Sequence, residues 1–222
     1  MTVRDEELRD MSGAVGRLAE LRVIAVLRAH SADAAVRTAE ALALGGVRAV
    51  EVTYTTPDAP SVIARLGAAF GGELLLGAGT VLRAEDAEAA VEAGAQFLAC
   101  PSYDEQTVAA IRRLPAAGIV GAWTPTEVRQ AVTSGADVVK LFPANVGGPA
   151  HLTALRGPFP DLRVIPTGGV TAGNAAQWLA AGALAVGSSW MCPADVIARG
   201  EWAEITRRSQ DVLAAVDAAV AS

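Results

Sequence analysis

Residues 131–143 read AVTSGADVVKLFP: an alanine-bearing helix end, a glycine at position 135, one further residue, then an apolar run that carries Lys140. The same arrangement recurs as ALALGGVRAVEVT (41–53), AVEAGAQFLACP (90–101) and WLAAGALAVGSSW (178–190), with Gly45, Gly94 and Gly182 in the place of Gly135. Glycine tolerates the left-handed conformation in which helices end, so each copy reads as a helix stopping and the chain turning into a strand. The strands are short, nearly continuous apolar runs of the kind buried on both faces in parallel sheets.

These glycines lie 49, 41 and 47 residues apart, which leaves room for one more strand and helix between each pair. The intervening strands are read at residues 73–76, 118–121 and 163–166, and RVIAVL (22–27) supplies the first. Strands alternating with helices imply parallel pairing through right-handed crossovers. The predicted fold is α/β, a (β/α)8 TIM barrel; an open doubly wound sheet is the alternative. Leu8, Met11, Val15 and Leu18 recur at helical spacing and predict an N-terminal helix over residues 6–20. Trp202, Ile205, Val212, Leu213 and Val216 predict a covering helix over residues 201–220. No linker interrupts the chain, so one domain is expected: residues 1–21 as an N-terminal helix, 22–200 as the barrel and 201–222 as a C-terminal helix.

With 222 residues, 52% of them hydrophobic, the chain can bury a sizeable core. A net charge of -6 argues against nucleic acid or an anionic membrane as a partner. The acidic start MTVRDEELRDMSG has no apolar leader core and no run has the length of a membrane span, so a cytoplasmic protein is expected. Cys100 and Cys192 cannot supply a disulfide framework and read as reduced core residues. With only His30 and His151, a histidine-rich metal site is not expected.

Lys140 is the only lysine among 18 formal cations. Arginine stays protonated at any accessible pH, whereas a lysine pressed among apolar residues can shed its proton and attack a carbonyl to form a Schiff base. The alternative is a lysine whose stem packs while its ammonium reaches water. In barrels of this class reactive groups stand at the C-terminal strand ends, which here gather Arg28, Glu51, Thr55, Thr80, Pro101, Phe142, Thr167 and Ser188 with Ser189 around Lys140. Glu51 lies between two valines, so alternation turns it into the barrel, where it can shuttle a proton or serve only as a satisfied buried charge. TGGV (167–170) and GSSW (187–190) follow the seventh and eighth strands, where such barrels hold phosphate on backbone N–H groups. GAGTV (77–81) reads as a turn exposing donors and the Thr80 hydroxyl to a carboxylate, or as a plain strand-to-helix turn. Pro101 and Phe142 supply an apolar wall.

GGVRAVEVT, GAGTV, GAQFLACP, TPTE, KLFPA, PTGGV and GSSW occur in that order between residues 23 and 202. As an ordered set they resemble the class I 2-dehydro-3-deoxyphosphogluconate and 4-hydroxy-2-oxoglutarate aldolases. That resemblance implies a carbon-carbon lyase that needs no metal or other cofactor, acts on a phosphorylated 2-oxo acid sugar and commonly forms a homotrimer. It implies Lys140 as the Schiff-base lysine and Glu51 as the acid/base, with Arg28 and Thr80 on the pyruvyl carboxylate. Thr167 would contact the reacting carbons beside Pro101 and Phe142, and Gly168, Gly169, Ser188 and Ser189 would receive phosphate. Two positions depart from the pattern. Thr55 stands where many members carry a carboxylate-binding arginine, leaving that charge to Arg28, and Ala122 with Trp123 is bulkier than usual before TPTE. A 2-dehydro-3-deoxy-6-phosphogalactonate aldolase is the alternative within aldolases, and a phosphate-binding isomerase or synthase using Glu51 alone, or a non-catalytic sugar-phosphate binder, is the alternative to an aldolase.

Overall fold

The computed structural model describes residues 13–220. Its strands are β1 (Val23–Leu27), β2 (Ala49–Thr53), β3 (Leu75–Gly79), β4 (Phe97–Ala99), β5 (Ala117–Ala122), β6 (Val138–Leu141), β7 (Val164–Pro166) and β8 (Val186–Ser188). They pair in parallel in the order β7-β6-β5-β4-β3-β2-β1-β8. A single bridge between Thr167 and Gly187 joins the two ends, closing the (β/α)8 barrel rather than leaving an open sheet.

Period-two alternation sorts the strand residues into two cores. Ile24, Ala49, Leu75, Phe97, Ala99, Ile119, Val138, Ile165 and Ala185 point inward and pack with Val15 and Leu18 of helix Ala14–Leu21, which plugs the N-terminal end of the barrel. Leu27, Val52, Leu76, Leu98, Val120 and Val139 point outward under the ring of helices. The expected N-terminal helix is thus found over Ala14–Leu21; the earlier part of the expected span lies outside the described residues.

Two inward glycines explain why β3 runs later than expected, over Leu75–Gly79 rather than 73–76. A Cβ on Gly77 would fall 2.3 Å from the Phe97 ring, and one on Gly79 would fall 2.0 Å from Glu51 Oε1. The GAG of GAGTV is therefore strand whose missing side chains make room for larger ones opposite, not a loop of exposed donors. The joint glycines also differ in detail. Gly94, Gly135 and Gly182 take positive φ after a right-handed cap residue, but at the first joint it is Gly46, φ 98°, that does so. Gly45 has φ -74° and serves packing: a Cβ there would lie 2.5 Å from Ser209 Cβ. Ser209 belongs to helix Trp202–Val220, which lies over helices Ala32–Leu44 and Ala175–Ala180, burying Ile205, Val212 and Val216. Among the described residues no helix is long and apolar enough to cross a membrane.

Candidate active site

A cavity of about 680 Å³ opens at the C-terminal ends of the strands. The inward alternation that fills the barrel below continues upward into it through Val26, Glu51, Thr53 and Lys140. Lys140 and Glu51 stand on β6 and β2, only 5% and 3% exposed, and Lys140 Nζ donates to Glu51 Oε1 at 3.0 Å. Gly79 on β3 and Gly121 on β5 face this pair's level of the barrel without side chains. Gly79 leaves the volume the Glu51 carboxylate occupies, and Gly121 lets the Pro101 carbonyl close in, since a Cβ there would be 2.1 Å from that oxygen. Phe142 stands at the mouth with its ring 5.9 Å from Nζ. A buried ammonium–carboxylate pair at hydrogen-bond distance can pass a proton directly, leaving a free amine in a largely apolar well.

Arg28, Thr80, Pro101, Phe142, Thr167, Gly168, Gly169 and Ser189 line the same cavity. Thr80 holds φ 57°, a left-handed conformation that β-branched residues rarely adopt. Thr167 Oγ1 is buried against Gly187, whose missing side chain makes room for it, and has no hydrogen-bond partner among the described residues. Gly168 and Gly169 take φ 92° and 78°; their carbonyls accept from Asn145 N at 3.0 Å and Asn174 Nδ2 at 2.9 Å. The loop after β7 is thereby pinned to the turn after β6.

Two of the expected contacts lie elsewhere. Ser188 alternates outward between the inward Gly187 and Ser189, is 1% exposed, and donates through Oγ to the Val170 carbonyl at 2.7 Å. It ties the seventh and eighth loops together from behind instead of facing phosphate. Thr55 sits outside the lining, one hydrogen bond behind Arg28, whose Nε donates to Thr55 Oγ1 at 2.7 Å. Thr53, two residues beyond Glu51 on the same face of β2, lines the cavity as strand alternation implies. Trp190 and Cys192 also line it although the sequence reading did not place them there; they arrive through the irregular turn after β8, which no periodicity predicts.

Trp123 does not shape this cavity. It stacks on His151 with ring centroids 4.6 Å apart and lines a neighbouring hollow of about 570 Å³ behind the wall of Pro101 and Phe142. TPTE forms a capping box: Thr124 Oγ1 accepts from Glu127 N, and the Glu127 carboxylate accepts from Thr124 N and Trp123 N, which holds it below the usual carboxylate range. Both cysteines are free and buried, and burial pushes each thiol up to about 12, Cys192 donating to the Val26 carbonyl at 3.5 Å.

Residues 15–208 match the model of the KDPG and KHG aldolase family. The 2-dehydro-3-deoxy-phosphogluconate aldolase of Treponema pallidum (strain Nichols) is 40% identical over 198 residues, 88% of this chain and 94% of that protein. Among solved structures, one described as "Native KDPGal structure" superposes with a TM-score of 0.84 at 29% identity, covering 91% of this chain and 98% of the other. A KDPG aldolase from Legionella pneumophila superposes with a TM-score of 0.83 at 31% identity over 90% and 97% of the two chains, and holds pyruvate as a covalent carbinolamine intermediate.

Proposed function

This chain belongs to the KDPG and KHG aldolase family, and from that premise we propose that it is a class I pyruvate aldolase. It cleaves 2-dehydro-3-deoxy-6-phosphogluconate to pyruvate and glyceraldehyde 3-phosphate, and accepts 4-hydroxy-2-oxoglutarate as a second substrate. The observation that carries the reading is the buried Lys140–Glu51 pair at 3.0 Å, opening onto a cavity lined by Thr167 and the Gly168–Gly169 loop.

Lys140 passes its proton to Glu51 and attacks the C2 ketone of the substrate; Glu51 returns that proton to the carbinolamine hydroxyl, which leaves as water, so that an iminium ion and a Glu51 carboxylate result. Glu51, acting through water, removes the C4 hydroxyl proton. The C3–C4 bond breaks, its electron pair flows into the iminium, and the aldehyde departs while an enamine of pyruvate stays on Lys140. The protonated Glu51 delivers its proton to C3, and water hydrolyses the resulting iminium to free pyruvate and the amine. The electron sink is thus made from the lysine itself. Thr167 Oγ1 contacts the substrate near the reacting carbons, Pro101 and Phe142 wall the C3 side, and the Gly168–Gly169 turn with Ser189 takes the phosphate.

Borohydride reduction in the presence of pyruvate tests this. A mass increase located on Lys140 is expected, and Lys140→Arg should show neither the adduct nor turnover, because a guanidinium cannot become a free amine. An unmodified Lys140 in an enzyme that still cleaves substrate would overturn the Schiff-base mechanism, and an unmodified Lys140 with no cleavage would overturn the reading in favour of an isomerase-like barrel or binder. The family likeness also supports a cytoplasmic homotrimer, for which a solution mass of about three times 22.6 kDa is the check.

A further inference from the structure

The direction of every proton in the contact between Arg28 and β2 can be assigned. Thr53 Oγ1 donates its only proton to the Leu27 carbonyl at 3.1 Å. The 2.8 Å contact between Thr53 Oγ1 and Thr55 Oγ1 must then use the Thr55 proton, with Thr53 accepting. Thr55 Oγ1 is left with lone pairs only, and one of them accepts Arg28 Nε–H at 2.7 Å. Beside this relay Ala29 N donates to Thr56 Oγ1 at 3.1 Å, fixing the backbone that carries Arg28.

β1 lies between β8 and β2 in the barrel, so an arginine at its end can swing to either neighbour. The relay draws Arg28 toward β2, the side of Glu51 and Thr80, and away from Ser189 on the β8 side. With Nε occupied, the two terminal nitrogens of the guanidinium remain for the cavity that Arg28 lines, and such an edge matches a carboxylate in bidentate fashion.

We propose that Thr55 is a positioning residue for substrate recognition: its hydroxyl, polarised through Thr53, sets Arg28 as the clamp for the carboxylate of the 2-oxo acid rather than for its phosphate. This rests on the Schiff-base reading above. A neutral residue at position 55 thereby does through Arg28 what a guanidinium at that position would do directly.

The test compares Thr55→Val and Thr55→Ser with the unaltered enzyme in borohydride trapping of pyruvate on Lys140, a ligand that has a carboxylate and no phosphate. Thr55→Val should raise the half-saturating pyruvate concentration about three- to tenfold, the range for the loss of one ordinary net hydrogen bond. The adduct yield at saturating pyruvate should be unchanged, KM for the phosphorylated substrate should rise in parallel, kcat should stay within about twofold, and inhibition by inorganic phosphate should not move. Thr55→Ser, which keeps the hydroxyl, should restore the pyruvate half-saturation. Unchanged half-saturation in Thr55→Val, or a shift in phosphate inhibition in its place, overturns the proposal. If Thr55→Val does not fold, Arg28→Lys, which lacks Nε, serves instead: a pyruvate half-saturation equal to that of the unaltered enzyme would overturn the proposal equally. Failure of the unaltered enzyme to trap pyruvate on Lys140 would instead overturn the aldolase reading.

Discussion

Gly79→Ala adds one methyl group to the barrel interior, and the structure says where it lands. The new Cβ would lie 2.0 Å from Glu51 Oε1 and 2.5 Å from both Cδ and Cγ, where ordinary contact begins at 3.4 Å. The carboxylate must retreat by more than about 1 Å, and retreat stretches a Lys140–Glu51 hydrogen bond now at 3.0 Å beyond bonding range. Loss of a positioned acid/base slows turnover about 100-fold to 10,000-fold, or about 3–5 kcal/mol of barrier. Overpacking costs a further ~1–3 kcal/mol of stability, each ~1 kcal/mol lowering Tm by about 2–4 °C in a chain of this size. The assay is coupled pyruvate release, with thermal unfolding alongside. Because Gly79→Ala acts through Glu51, the double variant Gly79→Ala, Glu51→Gln should turn over no more slowly than Glu51→Gln alone. Multiplying penalties in the double variant, or an unimpaired kcat in Gly79→Ala, would refute the reasoning.

Glu51→Gln itself should lose about 100-fold to 10,000-fold in kcat yet still form the trapped adduct with pyruvate, as read by intact mass. Ser188→Ala removes the donor to the Val170 carbonyl inside the protein, so thermal unfolding should report a loss of about 1–3 kcal/mol, while KM for the phosphorylated substrate should rise less than in Ser189→Ala. On helix Trp202–Val220, hydrogen bonds from Arg207 and Arg208 lower Glu204 from its ordinary 4.5 to about 2. A depressed folded-state value means stabilisation present above 4.5 and lost as pH falls toward 2, so Glu204→Gln should flatten the decline of Tm across that window.

How far the residues foretell the molecule depends on the range of the interaction. The joints ending in Gly94, Gly135 and Gly182 announce themselves because helix termination is local, and four copies at regular intervals leave little choice of fold. Lys140 and Glu51 are legible for the same reason: a lone lysine in an apolar run and a glutamate between two valines need only strand alternation to be turned inward. Ser188 was equally within reach, since counting by twos from Ser189 puts it on the outer face. The errors arise where the deciding partner is remote. Gly77 and Gly79 look like a loop until Phe97 and Glu51 are seen to fill the space above them. Gly45 does cap its helix, but it looks like a left-handed residue until its φ of -74° and Ser209 against it are seen, and Thr55 looks like a substrate contact until Arg28, 27 residues earlier, is found donating its Nε–H there.

The acid and the amine meet across 89 residues of chain. During synthesis Glu51 is laid into the wall of a growing hoop well before the strand bearing its counter-charge has left the ribosome. Closing the early strands alone would entomb a lone carboxylate at a cost of roughly several kcal/mol, so the half-made hoop has reason to stay loose until β6 arrives. The pair at the centre of the chemistry thus also ties the second strand of the barrel to the sixth.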